Sequence, residues 1–283
     1  SLASAHRIAA VLDEQVELAN PAHPVTEIPD GGVAFEHVSF KYHPDAAEYA
    51  LAGIDLVIQP GETVGILGGT GSAKSTLVQL IPRLYDATEG RVLVGGRDVR
   101  EYDLTALRDA VGIVLQKNVL FSGTVRENLL WGNPGASDEE LWAACRAACA
   151  DEFLQRMPGG LDADLGQGGV NVSGGQKQRL CIARTLLKKP RVLIFDDSVS
   201  AVDTATEARI RTALAALTGV TKIIIAQRVT SVMNTDKIVV LEDGRIHAVG
   251  THSQLLASDP IYQEIYHSQM KGGGADGSTA DHR

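Results

Sequence analysis

The nine residues GGTGSAKST at positions 68–76 decide the fold prediction for this chain. They follow the apolar run Val64–Leu67, which predicts a buried strand, and they precede a segment with helical spacing. Where a glycine-rich loop joins a strand to a helix, successive backbone N–H groups can wrap a phosphate chain. Lys74 would then reach the β- and γ-phosphates of a nucleotide, and the Ser75 hydroxyl would bind Mg²⁺. A plain Gly/Ser turn is the competing interpretation, and Lys-Ser-Thr at the required place argues against it.

This phosphate-loop motif departs from its strict pattern at Ala73, where the pattern has glycine. Glycine there lets the backbone approach a phosphate without a Cβ atom. We therefore expect Ala73 either to tighten the loop or to weaken nucleotide binding modestly. The residues of the loop predicted to contact the bound nucleotide are Gly69, Thr70, Gly71, Ser72, Ala73, Lys74, Ser75 and Thr76.

Two further apolar runs end in residues suited to a metal site. Val192–Phe195 ends at Asp196, and a carboxylate at the carboxyl end of a parallel strand can hold the hydration shell of Mg²⁺. Gln116 ends the run Val111–Leu115 and could complete that shell while sensing a γ-phosphate. The predicted metal site therefore consists of Ser75, Gln116 and Asp196.

The distribution of apolar residues predicts an α/β fold. β-Branched runs alternate with helical segments, which implies a parallel sheet covered by helices. Alternating apolar residues over 33–42 and 54–58 predict antiparallel strands, and Gly95-Gly96 and Asp243-Gly244 predict the turns of two hairpins. Helices are predicted over residues 124–148, 175–187, 206–217 and 261–270.

Composition excludes some classes of function. The 283 residues carry a formal net charge of −9, which argues against a general nucleic-acid surface, so no nucleic-acid partner is predicted. No stretch approaches 18 uninterrupted apolar residues, so no membrane-spanning segment is predicted and the fragment is expected to be soluble.

The most specific segment is VSGGQ at residues 172–176, followed by Lys-Gln-Arg. General phosphate-loop enzymes lack it, and it closely resembles the signature motif of the nucleotide-binding domain of ABC transporters. Three other segments resemble that family in the same order. They are FKY at 40–42, whose Tyr42 matches the aromatic residue that stacks on adenine; FSGTVRENL at 121–129, which matches exporters; and SAVD at 200–203, which matches the loop that joins two such domains.

The resemblance covers roughly residues 33–269 and implies a fold. This is the P-loop NTPase (RecA-like) class, with a parallel-sheet core, an antiparallel β subdomain and an inserted α-helical signature subdomain at about 117–180. Residues 33–270 would form the nucleotide-binding domain. Residues 1–32 would be a helical extension and linker from a transmembrane domain that precedes this fragment, and the Gly/Ser/Asp-rich residues 271–283 would be a disordered tail.

The resemblance also implies a head-to-tail dimer in which each ATP, bound with Mg²⁺, lies between the phosphate loop of one chain and the signature of the other. The residues expected to act on the ATP of the partner are Ser173, Gly174, Gly175 and Gln176. The residues expected to connect the two domains are Ser200, Ala201 and Asp203.

Two catalytic positions depart from the family. The residue after the metal-binding aspartate is normally glutamate, which polarises the attacking water, and here it is Asp197, shorter by about 1.5 Å of reach. Where the family has a histidine that contacts the γ-phosphate, this chain has Gln227, which cannot take a positive charge. Because both changes affect the same phosphate and water, we predict a degenerate site with weak hydrolysis of its own.

The resulting prediction is an ABC-type ATPase domain from one half of a heterodimeric exporter, at the cytoplasmic face of the membrane, whose partner is a second half-transporter. A fully active homodimeric exporter remains the main alternative. Importer ATPases and soluble ABC ATPases of translation or DNA repair remain further alternatives.

Overall fold

The computed structural model describes residues 2–13, 18–196 and 204–272 of the chain. The predicted tail lies outside these residues from 273 onward. The strands of the central sheet are β3 Thr63–Leu67, β6 Val111–Val114, β7 Val192–Asp196, β8 Thr221–Ala226, β9 Lys237–Glu242 and β10 Arg245–Gly250. They are ordered β10-β9-β3-β8-β7-β6, and all pairs are parallel except β9–β10. The predicted parallel core is therefore confirmed.

A second, antiparallel sheet contains β1 Val33–Phe40, β2 Leu51–Ile58, β4 Glu89–Val94 and β5 Arg97–Asp98, in the order β2-β1-β4-β5. The predicted turn between its last two strands is present at Gly95 and Gly96, whose φ angles are 56° and 76°. Positive φ is the conformation that glycine adopts without steric cost, which explains the pair of glycines.

The helices are α1 Leu2–Leu12, α2 Lys74–Gln79, α3 Leu104–Ala110, α4 Val125–Leu130, α5 Asp138–Ala147, α6 Asp151–Arg156, α7 Gly174–Leu187, α8 Thr204–Ala215, α9 Val229–Val232, α10 His252–Ser258 and α11 Pro260–Gly272. Most predicted boundaries differ from these by one or two residues. Among the described residues, no helix has both the length and the apolar character needed to span a bilayer.

The prediction of a single helix over residues 124–148 is wrong. The chain forms α4 and α5 instead, separated by a loop that contains Pro134. Proline lacks the backbone N–H that an interior helical position requires, so the break has a local cause. Each helix begins with its own capping box, Thr124 with Glu127 and Ser137 with Glu140.

The helices α4 to α7 and the central sheet share one apolar core. Leu193 and Phe195 of β7 lie in it at 1% and 2% exposure, together with Leu129 of α4 and Ile182 of α7. Full burial of one such side chain stabilises the fold by about 1.5–3 kcal/mol. The helical part is therefore packed firmly against the strand that ends at Asp196.

Residues 18–32, which are part of the predicted extension and linker at 1–32, lie along the antiparallel part of the molecule. The backbone N–H of Val25 donates to the carbonyl of Glu101, and the N–H of Asp103 donates to the carbonyl of Val25. The Asn20 side chain donates to the Asp103 carboxylate at 2.6 Å and accepts from the Leu104 N–H at 2.9 Å. This segment is thus docked by hydrogen bonds of Asn20 and Val25.

Candidate functional site

The parallel strands β3, β7 and β8 end together at one edge of the central sheet. In register, Leu67 lies opposite Ala226, and Asp196 lies opposite Ile225. The loop that begins at Gly68 and the residue Gln227 therefore emerge beside Asp196. The sheet thus brings together the phosphate loop, Asp196 and Gln227, which the sequence predicted separately. Ligands of parallel sheets bind at this edge, where the carboxyl ends of the strands meet.

The loop after β3 wraps around the ammonium group of Lys74. This side chain is 8% exposed, and its Nζ donates to the carbonyl oxygens of Gly68 and Gly69 at 2.8 and 2.7 Å. It also lies 3.3 Å from the Oγ of Ser72, which itself donates to Gly69. The loop thus concentrates positive charge at its centre, where it suits a phosphate anion.

The open side of the loop leaves room for a ligand. A Cβ atom added at Gly69 or Gly71 would meet nothing within 4 Å, whereas one at Gly68 would lie 2.4 Å from the carbonyl of Leu241. Gly68 is therefore required for the loop to pack against β9. The other two glycines leave the backbone accessible to phosphate oxygens.

The chemistry of the neighbouring donors fits Mg²⁺. The Ser75 hydroxyl donates to Oδ1 of Asp196 at 3.0 Å, which places two oxygen atoms of the kind that binds Mg²⁺ together at the start of α2. No group of three or more His, Cys, Asp or Glu that could hold a metal occurs among the described residues. Mg²⁺ is commonly held by one or two carboxylates together with substrate phosphates, so a large cluster of protein ligands is not required for it.

Gln116 is not joined to that pair. It is exposed in the turn after β6, and no hydrogen bond of its side chain is present within the described part of the chain. Because β6 neighbours β7 in parallel register, Gln116 nevertheless lies at the same edge of the sheet as Asp196. Its predicted role in the metal site remains a prediction.

The unusual Ala73 has a backbone explanation that the sequence did not provide. Its φ is 69° and its ψ is 23°, the left-handed conformation, and it is the N-cap residue of α2 without a side-chain cap. An L-residue in this region costs about 1–2 kcal/mol. The glycine of the strict motif therefore serves the turn of the backbone as well as the approach of phosphate.

Replacing Ala73 by glycine should raise the free energy of unfolding by about 0.5–1 kcal/mol, because the left-handed strain is removed at a partly offsetting cost in chain entropy. Chemical denaturation measures this change. The matched control is Ala143→Gly on the exposed side of α5, which should lower the stability by about 0.5–1 kcal/mol. Equal destabilisation by both substitutions would contradict the strain at Ala73.

Tyr42 lies next to the phosphate loop. Its hydroxyl is 2.8 Å from Oγ1 of Thr76, and its ring makes edge contacts with Phe40 and Tyr85 at centroid distances of 4.9 and 5.4 Å. The side chain remains 48% exposed. Tyr42 is thus held beside the loop with much of its ring available for a planar ligand.

Tyr85 and its support were not predicted from the sequence. Tyr85 lies in a turn after α2 in which the buried Arg83 makes two hydrogen bonds to Asp86, at 2.7 and 3.0 Å. A third donor of Arg83 reaches the carbonyl of Ala19 at 3.2 Å. Since no local motif marks an aromatic residue that packs on Tyr42 from 43 positions away, only the fold identifies it.

The VSGGQ segment forms the start of α7. Ser173 is the N-cap, and its Oγ accepts from the N–H of Gln176 at 3.3 Å while Oε1 of Gln176 accepts from the N–H of Ser173 at 2.9 Å. This capping box follows the Ser-x-x-Gln spacing and was available from the sequence. Ser173 and Gly174 are exposed, so the start of the helix faces outward. Gln176 is turned back onto the cap.

The remaining predicted residues are described only in part. Gln227 is exposed directly after β8. Asp197, Ser200, Ala201 and Asp203 lie outside the residues that the structure describes.

Comparison with known proteins gives one consistent result. The family model of the ABC transporter matches residues 51–200. An uncharacterised ABC transporter ATP-binding protein of Bacillus subtilis (strain 168) is 43% identical over 278 residues, which cover 98% of this chain and 48% of that protein. A protein of Staphylococcus aureus (strain NCTC 8325 / PS 47), provisionally named a multidrug export ATP-binding/permease protein, is 43% identical over 92% of this chain and 45% of its own length.

The fold of nearly the whole chain is also present in a solved structure. A bacterial Atm1-family ABC exporter with ATP bound has a TM-score of 0.88 and 38% sequence identity, covering 95% of this chain and 47% of that one. The present chain therefore spans about half the length of the proteins that it matches.

Proposed function

Because this chain belongs to the ABC transporter family, as one of its ATP-binding ATPase domains, we propose that it serves an exporter half-transporter and that its own catalytic site is degenerate. The observation that carries the nucleotide site is the 3.0 Å hydrogen bond between Ser75 and Asp196. It joins the phosphate loop at the end of β3 to the carboxylate at the end of β7. A hydroxyl and a carboxylate held together beside a buried lysine suit a magnesium nucleotide.

ATP would bind with its phosphates in the loop Gly69–Thr76 and its adenine against Tyr42. Lys74 would exchange the carbonyls of Gly68 and Gly69 for phosphate oxygens, which are stronger partners because they are charged. Ser75 and Asp196, with Gln116, would hold Mg²⁺, whose charge offsets that of the phosphates.

The degenerate character rests on two residues, Asp197 and Gln227. Asp197 follows Asp196 directly, and a base one methylene shorter than glutamate would stand about 1.5 Å too far from the water. A misplacement of about 1 Å can lower a rate about a hundredfold. Gln227, which follows β8, would contact the γ-phosphate as a neutral group. ATP would thus be held here more readily than it is hydrolysed.

The signature of this chain would complete the site of a partner. Ser173 uses Oγ as an acceptor in its capping box, which leaves the hydroxyl hydrogen free to donate to a γ-phosphate. Gly174 is open, since a Cβ there would meet nothing within 4 Å, so a phosphate could approach the backbone. Uncharged donors at the start of a 14-residue helix favour an anion. We propose a second half-transporter, in a heterodimer, as the source of that phosphate.

Attachment to a membrane domain is supported by an apolar surface patch. Phe121 and Trp131 stack at 4.8 Å while 46% and 67% exposed, and Leu115 and Val119 are also exposed. Neighbouring exposed apolar side chains commonly mark an interface. We propose that this patch receives a transmembrane domain at the cytoplasmic face of the membrane. The twofold length of the relatives and the export function in one of their names support this arrangement.

The purified chain alone should bind MgATP. It should hydrolyse it about a hundredfold more slowly than a site that has a catalytic glutamate and the signature of a second chain, because its own base is short and no partner supplies that signature. Steady-state phosphate release, corrected with the Lys74→Ala variant, measures the rate. Brisk turnover that depends on Lys74 would instead support the homodimeric exporter. The double variant Asp197→Glu with Gln227→His tests how far these two residues limit the rate.

A further inference from the structure

A side chain of the last described helix bridges the turn that carries Gln227. Oε1 of Gln269 in α11 accepts a hydrogen bond from the backbone N–H of Val229 at 2.8 Å, and its Nε2 donates to the backbone carbonyl of Gln227 at 2.8 Å. Both polar atoms of one amide are therefore used on opposite sides of Arg228. We call this pair of hydrogen bonds the Gln269 clamp.

The clamp supplies a cap that the turn itself lacks. Val229 is the first residue of α9, and Arg228 at the N-cap makes no side-chain hydrogen bond to the helix. The first N–H groups of a helix have no partner within it, so an external acceptor stabilises this start. Gln269 provides one from about 40 residues away.

The base of the clamp is firmly packed. Tyr262 of α11 is fully buried, its hydroxyl lies 2.7 Å from Nδ1 of His252, and its N–H donates to Asp259 at 2.7 Å. Tyr262 shares an apolar core with Val229, which is also fully buried. The helix and the turn are thus two parts of one packed unit, and the Gln269 clamp fixes their relative position.

We infer that Gln269 is a positioning residue, which fixes the backbone of Gln227 and so directs its side chain toward the γ-phosphate. This inference rests on the proposed role of Gln227. Without the clamp, the Gln227 carbonyl and the Val229 N–H turn to water, and the peptide units around Arg228 lose their fixed orientation. The effect falls on the γ-phosphate, because the other groups proposed to hold ATP and Mg²⁺ lie in the phosphate loop, at Tyr42, at Gln116 and at Asp196, and the Gln269 clamp bonds none of them.

Amide hydrogen exchange tests the clamp without reference to nucleotide. In Gln269→Ala, exchange at Val229 should accelerate about two- to tenfold, as expected for the loss of one hydrogen bond. Gln263→Ala is the matched control, since Gln263 lies on the same helix and its Nε2 donates to the carbonyl of Leu256, away from the turn. In Gln269→Glu an acceptor remains, and Val229 should stay protected. Unchanged exchange at Val229 in Gln269→Ala would overturn the inference.

Calorimetric titration with MgATP and MgADP tests the positioning role. Gln269→Ala should reduce the preference for MgATP over MgADP about two- to tenfold, as Gln227→Ala should, while Gln263→Ala leaves it unchanged. If only Gln227→Ala changes this ratio, the positioning role is wrong and the proposed site stands. If Gln227→Ala leaves the ratio unchanged, the proposed contact of Gln227 fails, and the positioning role fails with it.

Discussion

Replacing Lys74 by alanine should weaken MgATP binding by about a hundredfold or more. Each charge-assisted hydrogen bond to a phosphate contributes about 1.5–3 kcal/mol, and every 1.4 kcal/mol is a factor of about ten in affinity. Since Lys74 is the buried cation at the centre of the loop, its loss removes both the charge and the donors. Calorimetric titration with MgATP measures the affinity.

The matched control for this prediction is Lys189→Ala. Lys189 is an exposed lysine whose ammonium pairs with Glu140 of α5 at 2.7 Å, and its removal should leave MgATP affinity unchanged. Thermal unfolding of the Lys74 variant distinguishes lost binding from lost fold, because Nζ also holds the loop carbonyls. A folded Lys74→Ala variant with undiminished affinity would show that the phosphates bind elsewhere.

In the proposed heterodimer, Ser173→Arg should lower steady-state ATPase activity by about a hundredfold or more. The substitution places charge and bulk where we propose that small neutral donors face the γ-phosphate of the partner, and loss of one such donor costs about 10²–10³ in rate. Asp197→Asn should have a far smaller effect, because in the proposed arrangement Asp197 serves the site that contributes little turnover. The comparison of these two rates measures how much each of the two ATP sites contributes to turnover.

Ser137→Arg is the matched control for the signature variant. Ser137 caps α5 with the same capping box that Ser173 forms on α7, so both substitutions remove an N-cap at a cost of about 1 kcal/mol. Only the change at Ser173 should abolish turnover. Equal and severe losses from Ser173→Arg and Asp197→Asn would show that both sites hydrolyse ATP, and the asymmetric arrangement would then be wrong.

Local patterns predicted those parts of the fold that local chemistry determines. The hairpin turn at Asp243 and Gly244 is present with φ angles of 45° and 71°, because both residues tolerate the left-handed conformation. The parallel core followed from apolar runs ending in a phosphate loop and in Asp196. The merged helix over 124–148 was an avoidable error, since Pro134 marks its interruption.

Other features depend on contacts between distant parts of the chain. Tyr85 supports Tyr42, and Gln269 bonds the turn after Gln227, across 43 and 42 positions of sequence respectively. Nothing in the spacing of these residues signals the contact. Ala73 is a different case from these long-range contacts. Its position in the motif is evident from the sequence, but the reason why the motif has glycine there, a positive φ, is visible only in the backbone.

Because residues 18–32 are docked on the domain, a displacement of the chain that precedes them can be transmitted toward the nucleotide site. A flexible segment of this length would have a root-mean-square end-to-end distance of about 20 Å and would transmit little displacement from one end to the other. Here, hydrogen bonds from Val25 to Glu101 and from Arg83 to Ala19 hold the segment against the domain. A displacement of the chain at Ala19 would therefore be transmitted through Arg83 to the turn that contains Tyr85.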